Sequence, residues 1–386
     1  MTTVTQAPAR LIQGAVLENS GADRPYAQSQ PIVVSELELA GPEDNELLVR
    51  ITAAGVCHSD LSVVNNDRPR PVPMLLGHEA TGIVELVGPG VNDIAVGDTV
   101  VMTFLPRCGN CQGCRSEGKI PCENGSRANE AGTLLGGGRR LRRNGEKVQH
   151  HIGVSGFATH AVVSRNSVVP IGSDVPPEVA AIFGCAILTG GGAVLNVAKP
   201  ASDDTIAVIG LGGVGMAAVI TAAALGVKEI VGIDLQESKR DMALELGASS
   251  VMSPIEAEAS GKRFAAVIEA AGHPKALETA WAITEPGGMT CTVGLPAPGQ
   301  KIEIDPLQIT SQARHLVGSY LGSAVPSVDI PIYEALWREG KLNAEGLISS
   351  RIELTDINEA MDQLEQGNVL RQIIVFPTPS DEEDKE

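Results

Sequence analysis

TIAVIGLGGVGMAAVITAAALG, residues 205–226, decides the fold of this chain. It opens with a short β-branched run and continues as an uncharged, alanine-rich run, with Gly210, Gly212, Gly213 and Gly215 between the two. Ile206 to Val227 is long and apolar enough on paper to span a bilayer. The glycines break it near its start, so it reads as a buried strand, a turn and a buried helix. In Gly210-Leu211-Gly212-Gly213-Val214-Gly215 the first glycine permits a tight turn, and the second lets a pyrophosphate approach the backbone. The third lets helix and strand pack closely. The helix start then offers free N–H groups and a positive dipole end to the phosphates.

Asp234 ends the next strand-like run, EIVGID. A carboxylate there accepts hydrogen bonds from both ribose hydroxyls and repels a 2′-phosphate, which favours NAD over NADP. Lys239 follows shortly after, and spacing leaves it either beside the adenosine ribose or simply solvated.

Strands and helices alternate outward from this point: SKRDMALELG as a helix, FAAVIEAAG as a strand, PKALETAWAI as a helix and GMTCTVG as a strand. Such alternation predicts a parallel sheet covered by helices on both faces, an α/β doubly wound domain over 187–325. Before it, ELLVRITAAGVC, ATGIVELVG and DTVVM are short strand-like runs between turns, which predicts an antiparallel barrel-like domain. The chain is expected to return to that domain near Pro326, giving a first domain of 1–186 and 326–386. Asn124 to Lys147 reads as a long polar surface loop. Its Arg139, Arg140, Arg142 and Arg143 form a basic island, read either as solvated or as a seat for an anionic thiol carrier.

Cys108-x2-Cys111-x2-Cys114-x7-Cys122 places four thiolates within reach of one soft cation. Four sulfurs complete a tetrahedral shell, which marks a structural metal in a lobe of about 105–125. A reactive centre then has to lie elsewhere. Gly55-Val56-Cys57-His58-Ser59-Asp60, Gly77-His78-Glu79 and Phe183-Gly184-Cys185 offer two further thiolates and an imidazole, a donor set used where zinc keeps an open position. Taken singly, each of those cysteines is equally a small buried hydrophobe. Cys291 reads as an ordinary buried thiol.

These motifs, in this order, resemble the zinc-dependent medium-chain alcohol dehydrogenases, and the resemblance runs from about Gly14 to Phe376. The long segment after Cys122 is similar to that of the larger dimeric members and the aryl-alcohol relatives. The resemblance implies a GroES-like barrel for the first domain and a Rossmann fold for the second. It makes Cys57, His78 and Cys185 the catalytic zinc ligands, and Cys108, Cys111, Cys114 and Cys122 the structural ones. Ser59 takes the place of the hydroxyl that accepts the substrate proton, Asp60 that of a group beside the metal, and Glu79 that of a nearby carboxylate. His58 and Arg371 fall where the family contacts the cofactor pyrophosphate, Thr189 and Val214 line the nicotinamide pocket, and Phe104 lines the substrate pocket. The resemblance also implies two zinc ions per subunit, NAD, and primary alcohols as substrates, aromatic ones included, in a homodimer or tetramer. Many members carry a relay histidine three residues after the hydroxyl, where this chain has Ser62.

Composition bounds the alternatives. Lys and Arg number 29 against 47 Asp and Glu, a formal charge of −18, which argues against binding a phosphate backbone. Part of that charge sits in Asp381, Glu382, Glu383 and Asp384, read as a solvated end. The start, MTTVTQAPARLIQG, lacks the basic and apolar segments of a secretory signal, and the odd, tightly spaced cysteines favour reduced thiols; both point to a cytoplasmic protein. A thiol-adduct-dependent formaldehyde dehydrogenase is the rival enzyme, weakened by Ser126 where such enzymes tend to place an arginine. A non-catalytic NAD-binding protein is the rival of another class.

Overall fold

The computed structural model describes residues 8–377, so the acidic run 381–384 lies outside the described residues. The chain divides into two compact units. Among the described residues, the first comprises 8–116, 121–185 and 348–377, and the second 117–120 and 186–347.

In the first unit, Arg10–Leu17, Ile32–Leu39, Leu141–Arg143, Glu146–His150 and Met74–Leu75 close into a small barrel. A seven-stranded sheet accompanies it, built on Glu46–Val56, which pairs with Ala80–Val87, His160–Ser164 and Arg371–Val375. Glu46–Val56 is the central strand because its residues are apolar on both faces: Leu47, Val49, Ile51, Ala54 and Val56 enter one core, and Leu48 another. The barrel-like domain therefore stands, though its barrel is closed by strands that the sequence reading left as loop. The segment read as a long loop from Asn124 to Lys147 holds the helix Glu123–Glu130 and the hairpin Leu141–Arg143/Glu146–His150. Asn144 and Gly145, both at positive φ, make the hairpin turn, and an Asn-Gly pair between short strands is the usual signature of such a turn.

The arginine island is not free. Arg140 bonds Glu46 from Nε at 2.7 Å and reaches Glu43, Arg143 Nη2 lies 2.8 Å from Glu18, and Arg139 Nε lies 2.8 Å from Gln149. Arg140 thereby ties the barrel hairpin to the start of the central strand of the seven-stranded sheet, and Arg143 ties it to Glu18, just past the end of Arg10–Leu17.

In the second unit, six parallel strands run in the order Ser250–Met252, Glu229–Ile233, Thr205–Ile209, Phe264–Glu269, Thr284–Thr292 and His315–Gly318. The order reverses between Thr205–Ile209 and Phe264–Glu269, the switch point at which doubly wound sheets bind ligands. Ala207, Ile209, Val231, Ile233 and Val267 meet Phe264, Ala280 and Ile283 in one core. The stretch weighed as a membrane span is the strand Thr205–Ile209 and the helix Gly213–Ala224, both almost wholly buried. One other helical run, Pro177–Ala198, is long and apolar enough to cross a membrane, but most of it is also buried within the protein.

The return to the first unit comes at Ile348, later than the expected Pro326. The helix Pro326–Arg338 stays with the second unit because Asp329 accepts a hydrogen bond from Asn196 at 2.8 Å. Its Tyr333 ring also packs so closely on Gly191 that a Cβ there would lie 2.9 Å from it.

Candidate active site and metal centres

Four elements of the first unit converge on one buried group. Cys57 directly follows the central strand and caps the helix His58–Val64, His78 and Glu79 precede Ala80–Val87, and Cys185 sits in the π-helical turn Phe183–Ile187. Gly77 lets His78 in: its φ is +91°, and a Cβ there would lie 2.4 Å from the backbone nitrogen of Phe157. One donor atom from each of Cys57, His78, Glu79 and Cys185 lies within 4.8 Å of every other, and all four residues are buried.

His78 is oriented from behind. Its Nδ1 lies 2.9 Å from Asp60 Oδ1, while Asp60 Oδ2 accepts the backbone N–H of Cys57 at 3.1 Å. Nε2 of His78 is buried with no hydrogen-bond partner, and so is Oε2 of Glu79. A buried imidazole nitrogen without a partner is costly unless a cation takes its lone pair. The local field agrees. Burial opposes charge on His78, but Asp60 and Cys57 overcome it and hold the imidazole well above its usual range. Burial likewise opposes ionisation of Asp60, yet His78 and His151 hold it well below the usual carboxylate range. Hydrogen bonding with Cys185 pulls Cys57 down against burial, while the same contact and burial push Cys185 up. Two neighbouring thiols can thus both ionise here only beside added positive charge. The residues fit a zinc ion.

Two buried residues complete the surroundings. Arg371, 2% exposed, donates from Nη2 to Cys57 Sγ at 3.4 Å and from Nε to Glu79 Oε1 at 3.3 Å. The resemblance implies a pyrophosphate contact for this arginine; the structure brings it to the sulfur and carboxylate of the metal group. His151 was not singled out from sequence. Its Nδ1 lies 3.2 Å from Asp60 Oδ1, off the hydrogen-bond line, and its ring meets His78 edge-on at 5.6 Å between centroids. The only signal for it was the His150-His151 doublet.

Phe104 follows the strand Thr99–Met102 and also meets the His78 ring edge-on, with centroids 5.6 Å apart. His58 is exposed and Ser59 half-buried at the start of the helix His58–Val64. Ser62 Oγ donates to the His58 carbonyl at 2.8 Å, so its proton is spent on its own helix.

The four-cysteine lobe is a second centre. Its sulfurs lie within 4.8 Å of one another, with Cys108–Cys114 at 3.9 Å and Cys111–Cys122 at 3.8 Å. Four bonds of about 2.3 Å from one zinc in tetrahedral array would space sulfurs at about 3.8 Å. Backbone N–H groups of Cys108, Gly109, Cys114 and Gly125 point at these sulfurs at 3.3 to 3.4 Å, which suits thiolates.

In the second unit, Gly210 turns with φ +86°, and Gly215 packs so closely that a Cβ would lie 1.9 Å from the Gly210 carbonyl oxygen. A Cβ on Gly212 would meet nothing within 4 Å, which leaves open space where a pyrophosphate has to approach. Asp234 accepts the N–H of Leu211 at 2.8 Å and that of Gln236 at 2.9 Å, so the carboxylate is locked to the glycine loop. Arg240 holds the same turn, donating to the Asp234 and Leu235 carbonyls. Lys239 sits half-buried in the helix Glu237–Glu245. Thr189 lies in the helix Leu188–Gly192, whose Gly190 abuts the Val214 carbonyl.

Comparison with known proteins gives two family matches: the alcohol dehydrogenase GroES-like domain over residues 43–173, and the zinc-binding dehydrogenase family over residues 213–337. Among solved structures, the chain is similar to an alcohol dehydrogenase zinc-binding domain protein from Burkholderia ambifaria. The two are 30% identical with a TM-score of 0.89, covering 96% of this chain and 100% of that one. Benzyl alcohol dehydrogenase from Acinetobacter calcoaceticus is also 30% identical, with a TM-score of 0.87 over 95% of this chain and 100% of that one. A thermostable alcohol dehydrogenase from Pyrobaculum aerophilum, 23% identical with a TM-score of 0.77 over 95% of this chain and 100% of that one, shares the fold.

Proposed function

Because the chain belongs to the zinc-binding alcohol dehydrogenase family, we propose that it is an NAD-dependent enzyme with two zinc ions per subunit. It interconverts primary alcohols, aromatic ones included, and their aldehydes. One observation carries the reading: buried His78 Nε2 has no partner and lies beside the sulfurs of Cys57 and Cys185. When bound, zinc supplies a Lewis acid that makes an alcohol hydroxyl acidic, and NAD supplies the hydride acceptor.

The protein's own residues do the rest. Cys57, His78 and Cys185 would hold the catalytic ion, and Cys108, Cys111, Cys114 and Cys122 the structural one. Asp60 keeps a proton on His78 Nδ1, so Nε2 presents its lone pair. Ser59 accepts the substrate proton at Oγ. Its onward path does not use Ser62, whose hydroxyl is committed to the His58 carbonyl. Arg371 balances the charge of Cys57 and Glu79. Gly212 and the start of the helix Gly213–Ala224 receive the pyrophosphate, and Asp234 selects NAD through the ribose hydroxyls. Phe104, edge-on to His78, lines the substrate pocket. The 30% identity to a benzyl alcohol dehydrogenase supports an aromatic substrate. Seven free cysteines suit a cytoplasmic protein, and we expect a homodimer.

A thiol-adduct formaldehyde dehydrogenase finds less support, because Arg140 and Arg143 are engaged with Glu46 and Glu18. The deciding experiment is a screen of aliphatic and aryl alcohols with NAD. Formaldehyde is tested in parallel with and without glutathione or mycothiol, and the protein is checked for co-purified cofactor. Reduction of NAD by primary alcohols, independent of added thiol, is expected. Strict dependence on thiol with formaldehyde would move the protein to the rival activity, and NAD binding without turnover on any alcohol would make it a binding protein.

A further inference from the structure

We infer that Asn129 is a positioning residue for the alcohol pocket, and that through it the four-cysteine lobe sets how the pocket discriminates between small and bulky substrates. The inference rests on reading the Cys57, His78 and Cys185 group as the alcohol site.

The path is continuous within the first unit. Cys122, the last cysteine of the lobe, is the N-cap of the helix Glu123–Glu130, and its sulfur accepts the N–H of Gly125 at 3.3 Å. The same sulfur receives the N–H of Cys108 at 3.3 Å, so the start of the helix is part of the lobe. Gly125 lies so close to Pro106 that a Cβ would be 2.3 Å from the Pro106 carbonyl oxygen, which presses the helix onto the segment carrying Phe104. Near the far end of the helix, Asn129 is only 4% exposed, and its Nδ2 donates to the Phe104 carbonyl at 2.7 Å. Phe104 in turn meets His78 edge-on.

Asn129 uses only half of its polar capacity. Its Oδ1 is buried without a partner, while its amide donor makes a short bond to Phe104. A buried amide with an idle acceptor is an expensive way to fill space, so the donor is the part the fold uses. The Phe104 carbonyl belongs to a segment with no regular secondary structure, between the strand Thr99–Met102 and the cysteine lobe. A side-chain donor fixes such a segment as a ladder bond fixes a strand. The backbone is also held at Thr103, whose N–H donates to the Ser167 carbonyl at 2.7 Å, so losing the Asn129 bond shifts the Phe104 ring against His78 rather than releasing the whole segment, and so changes the room beside His78. The lobe thereby acts on selectivity although its four sulfurs form a separate group from the Cys57 and Cys185 sulfurs.

The test compares the wild type with Asn129→Ala using a two-carbon and an aryl primary alcohol, with zinc content and the KM for NAD measured alongside. The ratio of kcat/KM between the two alcohols is expected to change about tenfold, while zinc content and the KM for NAD stay unchanged. A ratio within about twofold of wild type in a fully metallated variant overturns the inference. Should Asn129→Ala not accumulate as folded protein, Asn129→Leu keeps the side-chain shape without the donor and is read in the same way. A cobalt-substituted pair gives a second readout independent of turnover. A shifted ligand-field absorption in the variant supports displacement of Phe104 against His78, and identical spectra overturn it. Should the wild type turn over neither alcohol, the functional reading fails, and the cobalt spectra alone decide the role of Asn129.

Discussion

Asp60 Oδ1 lies 2.9 Å from His78 Nδ1, and both side chains are wholly buried. The contact decides which nitrogen faces a metal: Asp60 holds the proton on Nδ1, so Nε2 is the one that gives up its proton and becomes the donor when zinc binds. Asp60 also receives the Cys57 N–H through its other oxygen, so one carboxylate sets the direction of two metal donors. Asp60→Asn removes the charge and, with an amide able to donate, can support the wrong tautomer. Outer hydrogen-bond partners of this kind are worth about 10- to 100-fold in metal affinity. The variant is expected to lose its catalytic zinc to a chelator that leaves the wild type loaded, and to retain the zinc of the four-cysteine lobe. Metal analysis after dialysis against the chelator checks this, and two zincs per chain at the end would remove Asp60 from the role.

Ser59→Ala addresses the proton rather than the metal. Ser59 is half-buried in the first turn of the helix that Cys57 caps. Positioned proton acceptors contribute about 10²- to 10⁴-fold, so kcat is expected to fall by at least about 10². Zinc content and the KM for NAD should hold. Turnover near wild type would place the acceptor elsewhere.

Asp234 does two things in the structure that its spacing did not reveal together. It closes the glycine loop through the Leu211 N–H and holds the turn after its own strand through the Gln236 N–H. Asp234→Gly therefore loses the loop clamp together with the proposed ribose acceptor. The preference for NAD over NADP is expected to fall about 10- to 100-fold, on the scale of one or two lost polar contacts, and the KM for NAD to rise. Steady-state kinetics with both cofactors measures it, and an unchanged ratio would detach Asp234 from cofactor choice.

These residues also show what was legible in the chain. The two-domain fold could be read because its signals are local: glycines between a strand and a helix, and alternating apolar runs over 205–292. The barrel hairpin was equally local, yet Asn144-Gly145 was passed over because the surrounding arginines read as solvated. Burial of Arg140 against Glu46 depends on a partner 94 positions away, which no periodicity reports. The metal group shows the same divide. Cysteines at x2 spacing declare themselves, whereas Cys57 and Arg371 meet across 314 positions, and a doublet of histidines gives no hint that one of them faces Asp60. The sequence reading puts the return to the first domain near Pro326. Asp329 and Tyr333 hold the helix it starts to the second unit.

The other histidine of that doublet sets an acid limit on stability. His150 is buried at the end of the strand Glu146–His150; its Nε2 accepts the Arg140 N–H at 3.0 Å, and its Nδ1 faces Ser155 Oγ. Burial, with Arg140 and Arg139 nearby, lowers it from 6.5 to about 3. Its folded value is thus depressed, so between the two values the unfolded chain binds a proton that the folded protein refuses. Stability from this group is complete above about pH 6.5 and is lost progressively as pH falls towards about 3. At about pH 5 the loss is about 2 kcal/mol, from roughly one and a half units at 1.36 kcal/mol each. His150→Gln keeps an acceptor for the Arg140 N–H and cannot titrate. Urea unfolding of the zinc-loaded proteins at about pH 7.5 and about pH 5 should show the wild type losing about 2 kcal/mol more than the variant between the two conditions. Other carboxylates and histidines, and any acid release of zinc, act on both proteins and cancel in that difference. An equal loss in both would mean that His150 takes up its proton without opening the hairpin.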